Sequence, residues 1–291
     1  MFRTNLTQMA VALAAAISWG GGDFSGGMGT KASGGSTAAA LRIIMLGSGM
    51  SFLFLCGMSL FTAAPMPSGA PLWWGLGAGV TAGIAVTAFY MALARGSMGP
   101  SAAVSGVLAA ALPAVVSVFV DGKPGLVRVV GFLLAAAAIW MIAASGHKDS
   151  PGTMPFALLG GAGFGIYFVA LRMANSLGIW EPMMLARVGS LITCGLIWLW
   201  VRRSQPEESA LPPMSPEAWK WAALVALLDT GGNVSYTAAT RLGRLDEAAV
   251  VASLYPAGTI LLAAWKLHER PTRVQRIGML VALAAVMLVS L

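Results

Sequence analysis

The chain has 291 residues, 57% of them hydrophobic and only 10% charged, with a mean hydropathy of +0.78. Soluble domains carry about 25% charged residues, so a water-soluble fold is excluded. The formal charge of +7 then reads as a topology signal at helix ends and not as a nucleic-acid surface.

Spans of about 20 apolar residues fit a bilayer core, and ten follow in chain order. The first covers 6–30. Arg3 ahead of it resembles the basic start of a signal peptide, but the apolar run continues past any cleavage-like site into a Gly-rich stretch, so it reads as a helix. Residues 36–62, 70–94, 99–120 and 125–145 complete the first half; 153–176, 180–201, 217–240, 246–265 and 273–291 form the second. Strict apolar/polar alternation, the mark of a barrel, is absent. Connections are short, and the longest, RRSQPEESALPPMSPE at 202–217, is too rich in proline and acid for a buried helix. Pro113 and Pro256 fall inside the fourth and ninth spans and predict kinks.

Cys56 and Cys194 lie at different depths, so neither a disulfide nor a metal site is expected. His147 and His268 read as solvated loop residues. No cofactor is indicated. With the N-terminus inside, Lys31, Arg95, Lys148, Arg202, Arg203, Lys220, Lys266, Arg270, Arg273 and Arg276 fall outside, against Arg3, Lys123, Arg128, Arg172, Arg241 and Arg244 inside. The literal count prefers the reverse orientation, and orientation stays open.

Two lone acids interrupt the apolar segments, Asp23 in SWGGGDFSGGMG and Asp229 in LLDTGGN. A charge in mid-membrane costs about 2.5–3.5 kcal/mol on insertion scales, and such residues face a cavity or a partner. Three uses are open: a catalytic dyad, a proton or ion site, or polar glue between helices. Trp19 and Asp23 are i and i+4, and Asp229, Asn233 and Tyr236 are i, i+4 and i+7, so each set lines one stripe of its helix. Glycines at 20–22, 26–27 and 231–232 either interrupt their helices, as in carriers, or let helices pack closely, as the G-x-x-x-G pairs Gly79/Gly83 and Gly161/Gly165 do.

The chain also repeats itself at an offset of about 145 to 147 residues. STAAALR ending at Arg42 corresponds to EPMMLAR ending at Arg187, YMALARG from Tyr90 to YTAATRL from Tyr236, and GKP at 122–124 to ERP at 269–271. Five helices per half is an odd number. The halves must therefore lie in opposite orientations, the architecture of secondary transporters with a site at the repeat interface.

These residues carry a resemblance. WGGGDF at 19–24, Arg42, Arg187, HERP at 268–271 and IGMLVALAAVMLV at 277–289 resemble the EamA-type transporters of the drug/metabolite transporter superfamily, with DGKP in the first half where the acid of G-E-R-P stands. The likeness covers both halves. It implies a bacterial-type inner-membrane carrier of small organic solutes, often an exporter, with the lipid bilayer as its solvent. The solute is not specified.

The rival is an intramembrane aspartyl protease, since G-x-G-D is present at 20–23. That family places the motif late in the chain, after a Tyr-Asp helix and before P-A-L, whereas here it lies in the first helix without P-A-L, so an enzyme is not expected. The expectation is an all-α polytopic membrane protein of ten transmembrane helices in two inverted five-helix repeats, 1–148 and 149–291. Its solute site is expected to draw on Trp19, Asp23, Arg42, Tyr90, Tyr167, Arg187, Asp229, Asn233 and Tyr236, with Tyr255 along the pathway. Asp23 and Asp229 are the candidate proton-coupling acids; an uncoupled facilitator is the neighbouring version. A single copy can form the whole unit. For Arg42 and Arg187, about 9 Å into their helices, holding an anion and snorkelling to the interface are both open.

Overall fold

The computed structural model describes residues 2–63, 65–95, 98–143, 153–174, 178–209, 211–267 and 272–289. His147, Lys148 and the HERP residues 268–271 lie outside the described residues. The fold is all-helical: α1 (Phe2–Ala32), α2 (Thr37–Thr62), α3 (Ala70–Arg95), α4 (Met98–Val120), α5 (Leu126–Ala143), α6 (Thr153–Ala174), α7 (Trp180–Ser204), the short α8 (Pro206–Ser209), α9 (Pro216–Leu242), α10 (Leu245–Ala252), α11 (Tyr255–Lys266) and α12 (Arg273–Val289). α10 and α11 are two halves of the ninth span. With the one-turn α8 set aside as a loop element, the ten expected spans are all present.

Local chemistry explains several ends. Ser36 and Ser215 cap α2 and α9, each side chain accepting from the backbone N–H three residues on at 3.1 Å. Both satisfy a donor that a helix start leaves bare. Pro256 sits in the first turn of α11, where its missing N–H is tolerated. The ninth span therefore breaks at 253–254. Pro113, by contrast, is carried inside the unbroken helix α4.

Among the described residues, five segments are long and apolar enough to cross a membrane by length and composition: Thr37–Thr62, Ala70–Leu93, Thr153–Ala174, Trp180–Ser204 and Leu245–Lys266. α1 and α9 fall short because they carry the glycines, Asp23, Asp229 and Asn233. Exposed apolar side chains such as Leu53, Phe54, Phe119, Leu133 and Leu227 cover the outside of the bundle. Exposed tryptophans stand near helix ends, Trp73 and Trp74 at one face and Trp140, Trp200, Trp219 and Trp265 at the other, as in interfacial belts.

Helix pairing follows the inverted repeat. α1 packs on α9 and α3 on α6, which are first-on-eighth and third-on-sixth spans, exchanged when each half is replaced by the other. α4 packs on α6 as α10 and α11 pack on α1, while α2 with α7 and α5 with α12 are self-matched pairs. Glycines set the closest crossings. A Cβ on Gly79 of α3 would overlap the Ala186 carbonyl and lie 2.8 Å from Gly189 Cα of α7. One on Gly161 of α6 would lie 2.7 Å from Ser105 Cα of α4, and one on Gly20 of α1 3.0 Å from Gly258 Cα of α11. Small residues let backbones approach this closely, as packing in a bilayer requires.

Candidate functional site

Between the halves lies a cavity whose space, open mouth included, is about 750 Å³. It has room for several waters. Asp23 stands nine residues from the end of α1 and Asp229 thirteen from the start of α9. At 1.5 Å per residue these are depths of about 14 and 20 Å, near the middle of a ~30 Å hydrocarbon core.

One wall is polar. Arg187 of α7 donates through Nη2 to Asp229 Oδ2 at 2.5 Å and through Nε to Ser51 Oγ of α2 at 2.9 Å. Asn233, one turn beyond Asp229, donates to its Oδ1 at 3.1 Å and to its backbone carbonyl at 2.7 Å. Asn233 Oδ1 in turn accepts from the Tyr167 hydroxyl of α6 at 2.6 Å. Thr230 Oγ1 closes the chain on Ser51 Oγ at 2.6 Å. Five helices' worth of polar atoms need not be invoked: four helices, α2, α6, α7 and α9, satisfy one ion pair in a place where an unpaired charge is costly.

Asp23 is placed differently. α1 and α9 meet at Gly22, where an added Cβ would lie 3.5 Å from Asp229 N, so Asp23 faces the same space. Among the described residues its carboxylate makes no hydrogen bond and no ion pair.

The other walls are aromatic. Trp19 stacks on Phe168 with centroids 5.0 Å apart and planes 11° from parallel, and Phe168 lies 4.7 Å from Tyr236. Tyr236 is fully buried beneath Trp19 and does not line the cavity. Phe89 joins Tyr90, Phe164 and Tyr255 by ring contacts of 5.6–6.4 Å. The glycines serve this packing. α1 and α9 run unbroken through theirs, so of the two readings left open these glycines follow close packing. Gly232 leaves room for the Trp19 indole and Gly26 for the Tyr90 ring.

Of the expected residues, the structure brings Trp19, Asp23, Tyr90, Tyr167, Arg187, Asp229 and Asn233 to the cavity, with Tyr255. Arg42 lies elsewhere: its Nη1 donates to the Pro212 carbonyl in the loop before α9 at 2.7 Å. Ser48, Ser190, Phe164 and Phe168 also line the space, and Ser51 and Thr230 brace it. Phe164, Tyr167 and Phe168 at i, i+3 and i+4 were readable as a stripe. The serines carry no such signal, since one hydroxyl in an apolar span looks like any other.

A second polar cluster closes the end of the bundle where the chain begins. Arg244, in the turn between α9 and α10, grips Asp246 with two hydrogen bonds of 2.8 and 3.0 Å. It also donates to the carbonyls of Asp121 and Gly122 at 2.7 Å each. Asp121 Oδ2 accepts from Ser117 and from the Leu245 N–H, while Arg128 of α5 pairs with the buried Glu247 at 2.9 Å. Gln8 of α1 donates to the Arg244 carbonyl at 2.8 Å. The Asp246 hydrogen bonds hold the Arg244 guanidinium above its usual pKa. Arg128 and Arg244 thus do more than mark topology, and no spacing or motif sets Asp246 and Glu247 apart.

Residues 152–291 match the EamA-like transporter family. The second half of the chain is an EamA-like transporter unit. The protein is therefore an integral membrane transporter of small solutes, and the family points away from an enzyme. No curated protein matches the chain. A solved structure titled only as the crystal structure of a protein superposes with a TM-score of 0.70 at 17% identity, covering 98% of each chain. At that identity the likeness speaks for the fold.

Proposed function

We propose that the chain is an alternating-access carrier that exports a small organic solute in exchange for protons taken up at Asp23, with 1–148 and 149–291 as the two moving halves. The observation that carries this is the contrast between the acids: Asp229 is held by Arg187 and Asn233, whereas Asp23 faces the same cavity without a partner. A carboxylate with a fixed cation stays charged through a transport cycle. One without can trade a proton for a solute, the population-shifting step that coupling requires. Asp229 then serves to keep Arg187 in place, and the membrane concerned is a bacterial-type inner membrane.

The test is a pair of transport measurements in proteoliposomes. Asp23→Asn keeps the shape and removes the charge. Solute counterflow at saturating solute is expected to continue while accumulation driven by a pH gradient is lost. A mutant that still concentrates solute with the wild-type pH dependence removes Asp23 from the coupling role and leaves a facilitator or Asp229.

A further inference from the structure

We infer that the solute is a small organic cation, an ammonium head on an aromatic or aliphatic body, bound by Asp23 and the rings around it. This rests on the carrier reading and adds the charge class. Among the described residues the cavity is lined by three ionic side chains: Asp23, Asp229 and Arg187. Arg187 is spoken for, its Nη2 on Asp229 and its Nε on Ser51, and Asn233 takes the second carboxylate oxygen of Asp229. One negative charge is left without a counterion, and it belongs to Asp23.

An anionic solute finds no matching group. The charge of Arg187 is already balanced by Asp229, so an anion on its remaining N–H groups would bring a further negative charge into a space that already holds Asp23 and Asp229 against one arginine. Arg42, the other arginine at the equivalent repeat position, is turned to the Pro212 carbonyl and does not line the cavity. A neutral solute leaves Asp23 either uncompensated or protonated and gains nothing from it.

The walls suit a cation. Trp19, Tyr90, Phe164, Tyr167, Phe168 and Tyr255 line the space, and ring faces attract ammonium groups, most strongly where water is excluded. Tyr90 and Tyr255 are the titratable groups that face Asp23 from α3 and α11, Asp229 the one from α9, and none of them is a cation at neutral pH. The limited free volume restricts the body to roughly one ring, and the apolar side chains Ile44, Val86 and Val225 receive it.

The experiment uses the full chain and three probes of one shape: 2-phenylethylammonium, 2-phenylethanol and 3-phenylpropanoate. Binding to purified protein is read by calorimetry and transport by counterflow in proteoliposomes. The ammonium is expected to bind at least about tenfold more tightly than the alcohol, a difference of about 1.4 kcal/mol, and the carboxylate not at all. Asp23→Asn is expected to remove the ammonium preference and leave the alcohol unchanged, while Asp23→Glu retains it. Equal or better binding of the carboxylate or alcohol by the wild type, or no ammonium binding, overturns the assignment without any variant having to fold. Carboxylate counterflow without ammonium counterflow overturns the charge class and keeps the carrier. Ammonium binding with no counterflow of any probe keeps the site and sinks the carrier reading.

Discussion

Arg187 and Asp229 form an ion pair between α7 and α9 inside the cavity, while Arg42, which the repeat makes the counterpart of Arg187, meets no acid among the described residues. The offset that relates Tyr90 to Tyr236 carries Asp229 onto Gly83 of α3. There a Cβ would already lie 3.0 Å from Thr193 Cβ and 3.2 Å from the Ser190 carbonyl, so the first half has no space for an acid. Asymmetry in one residue gives two arginines of equal depth unequal jobs.

The ion pair sets the first prediction. Arg187→Met leaves Asp229 unpaired at mid-depth and is expected to cost about 3 kcal/mol, the low end for a broken buried pair, because Asp229 is 35% exposed to the cavity. Arg187→Met combined with Asp229→Leu is expected to recover most of that loss. Melting of the three proteins in one detergent checks it. A double variant no more stable than the single shows that Arg187 acts through something other than Asp229.

Close crossings give the second. Gly79→Ala puts a methyl onto the Ala186 carbonyl and 2.8 Å from Gly189 Cα, where only backbone can yield, and is expected to destabilise by about 1–3 kcal/mol. Gly49 of α2 has nothing within 4 Å of an added Cβ, and Gly49→Ala should be neutral or up to about 1 kcal/mol stabilising through helix propensity. The same melting assay ranks them. Equal effects would mean that α3 and α7 can separate without loss.

Much of this was legible in the sequence. Span length and hydropathy gave ten helices, because the bilayer forces every backbone group to pair within its own segment. The i, i+4 spacing of Trp19 with Asp23 and of Asp229 with Asn233 gave their shared faces. What periodicity could not supply was partnership across helices. It put Arg42 and Arg187 on equal terms, yet the proline-rich loop supplies a carbonyl to the first and α9 a carboxylate to the second. Pro113 and Pro256 looked alike as well. Only Pro256 coincides with a break, since it opens α11 just after the turn at 253–254, where no N–H is required.

The aromatic floor gives a third prediction. Trp19 rests on Phe168 and above Tyr236, so it separates the cavity from the packed half of the bundle. Trp19→Ala is expected to cost about 3–5 kcal/mol in melting. Trp19→Phe should recover much of the stability while leaving the Gly232 side loosely filled. A Trp19→Ala protein as stable as wild type would mean that the floor is held by Phe168 and Tyr236 alone.

The last prediction concerns Arg244, which ties the turn before α10 to Asp246 and to the Asp121 and Gly122 carbonyls after α4. For the cavity to open toward this end these contacts must part, so Arg244→Gln should favour the opened form. Charged hydrogen bonds of this kind contribute about 1.5–3 kcal/mol each, and losing the net worth of one shifts a two-state population about tenfold or more. Labelling of an Ala12→Cys thiol, fully buried in α1, reads the opening in a background with Cys56 and Cys194 replaced by Ala. The rate with an impermeant maleimide applied from that side is expected to rise about tenfold on adding Arg244→Gln. The pH dependence has a definite sign. Because the Asp246 hydrogen bonds raise the folded pKa of Arg244, its contribution is fully present below the unfolded guanidinium value, which lies far above neutral pH, and is lost only above the folded one. Once the intrinsic reactivity of the thiol is divided out, the increase caused by Arg244→Gln should therefore be constant from about pH 6 to 9. A labelling rate unmoved by the substitution shows that this end opens without Arg244 letting go.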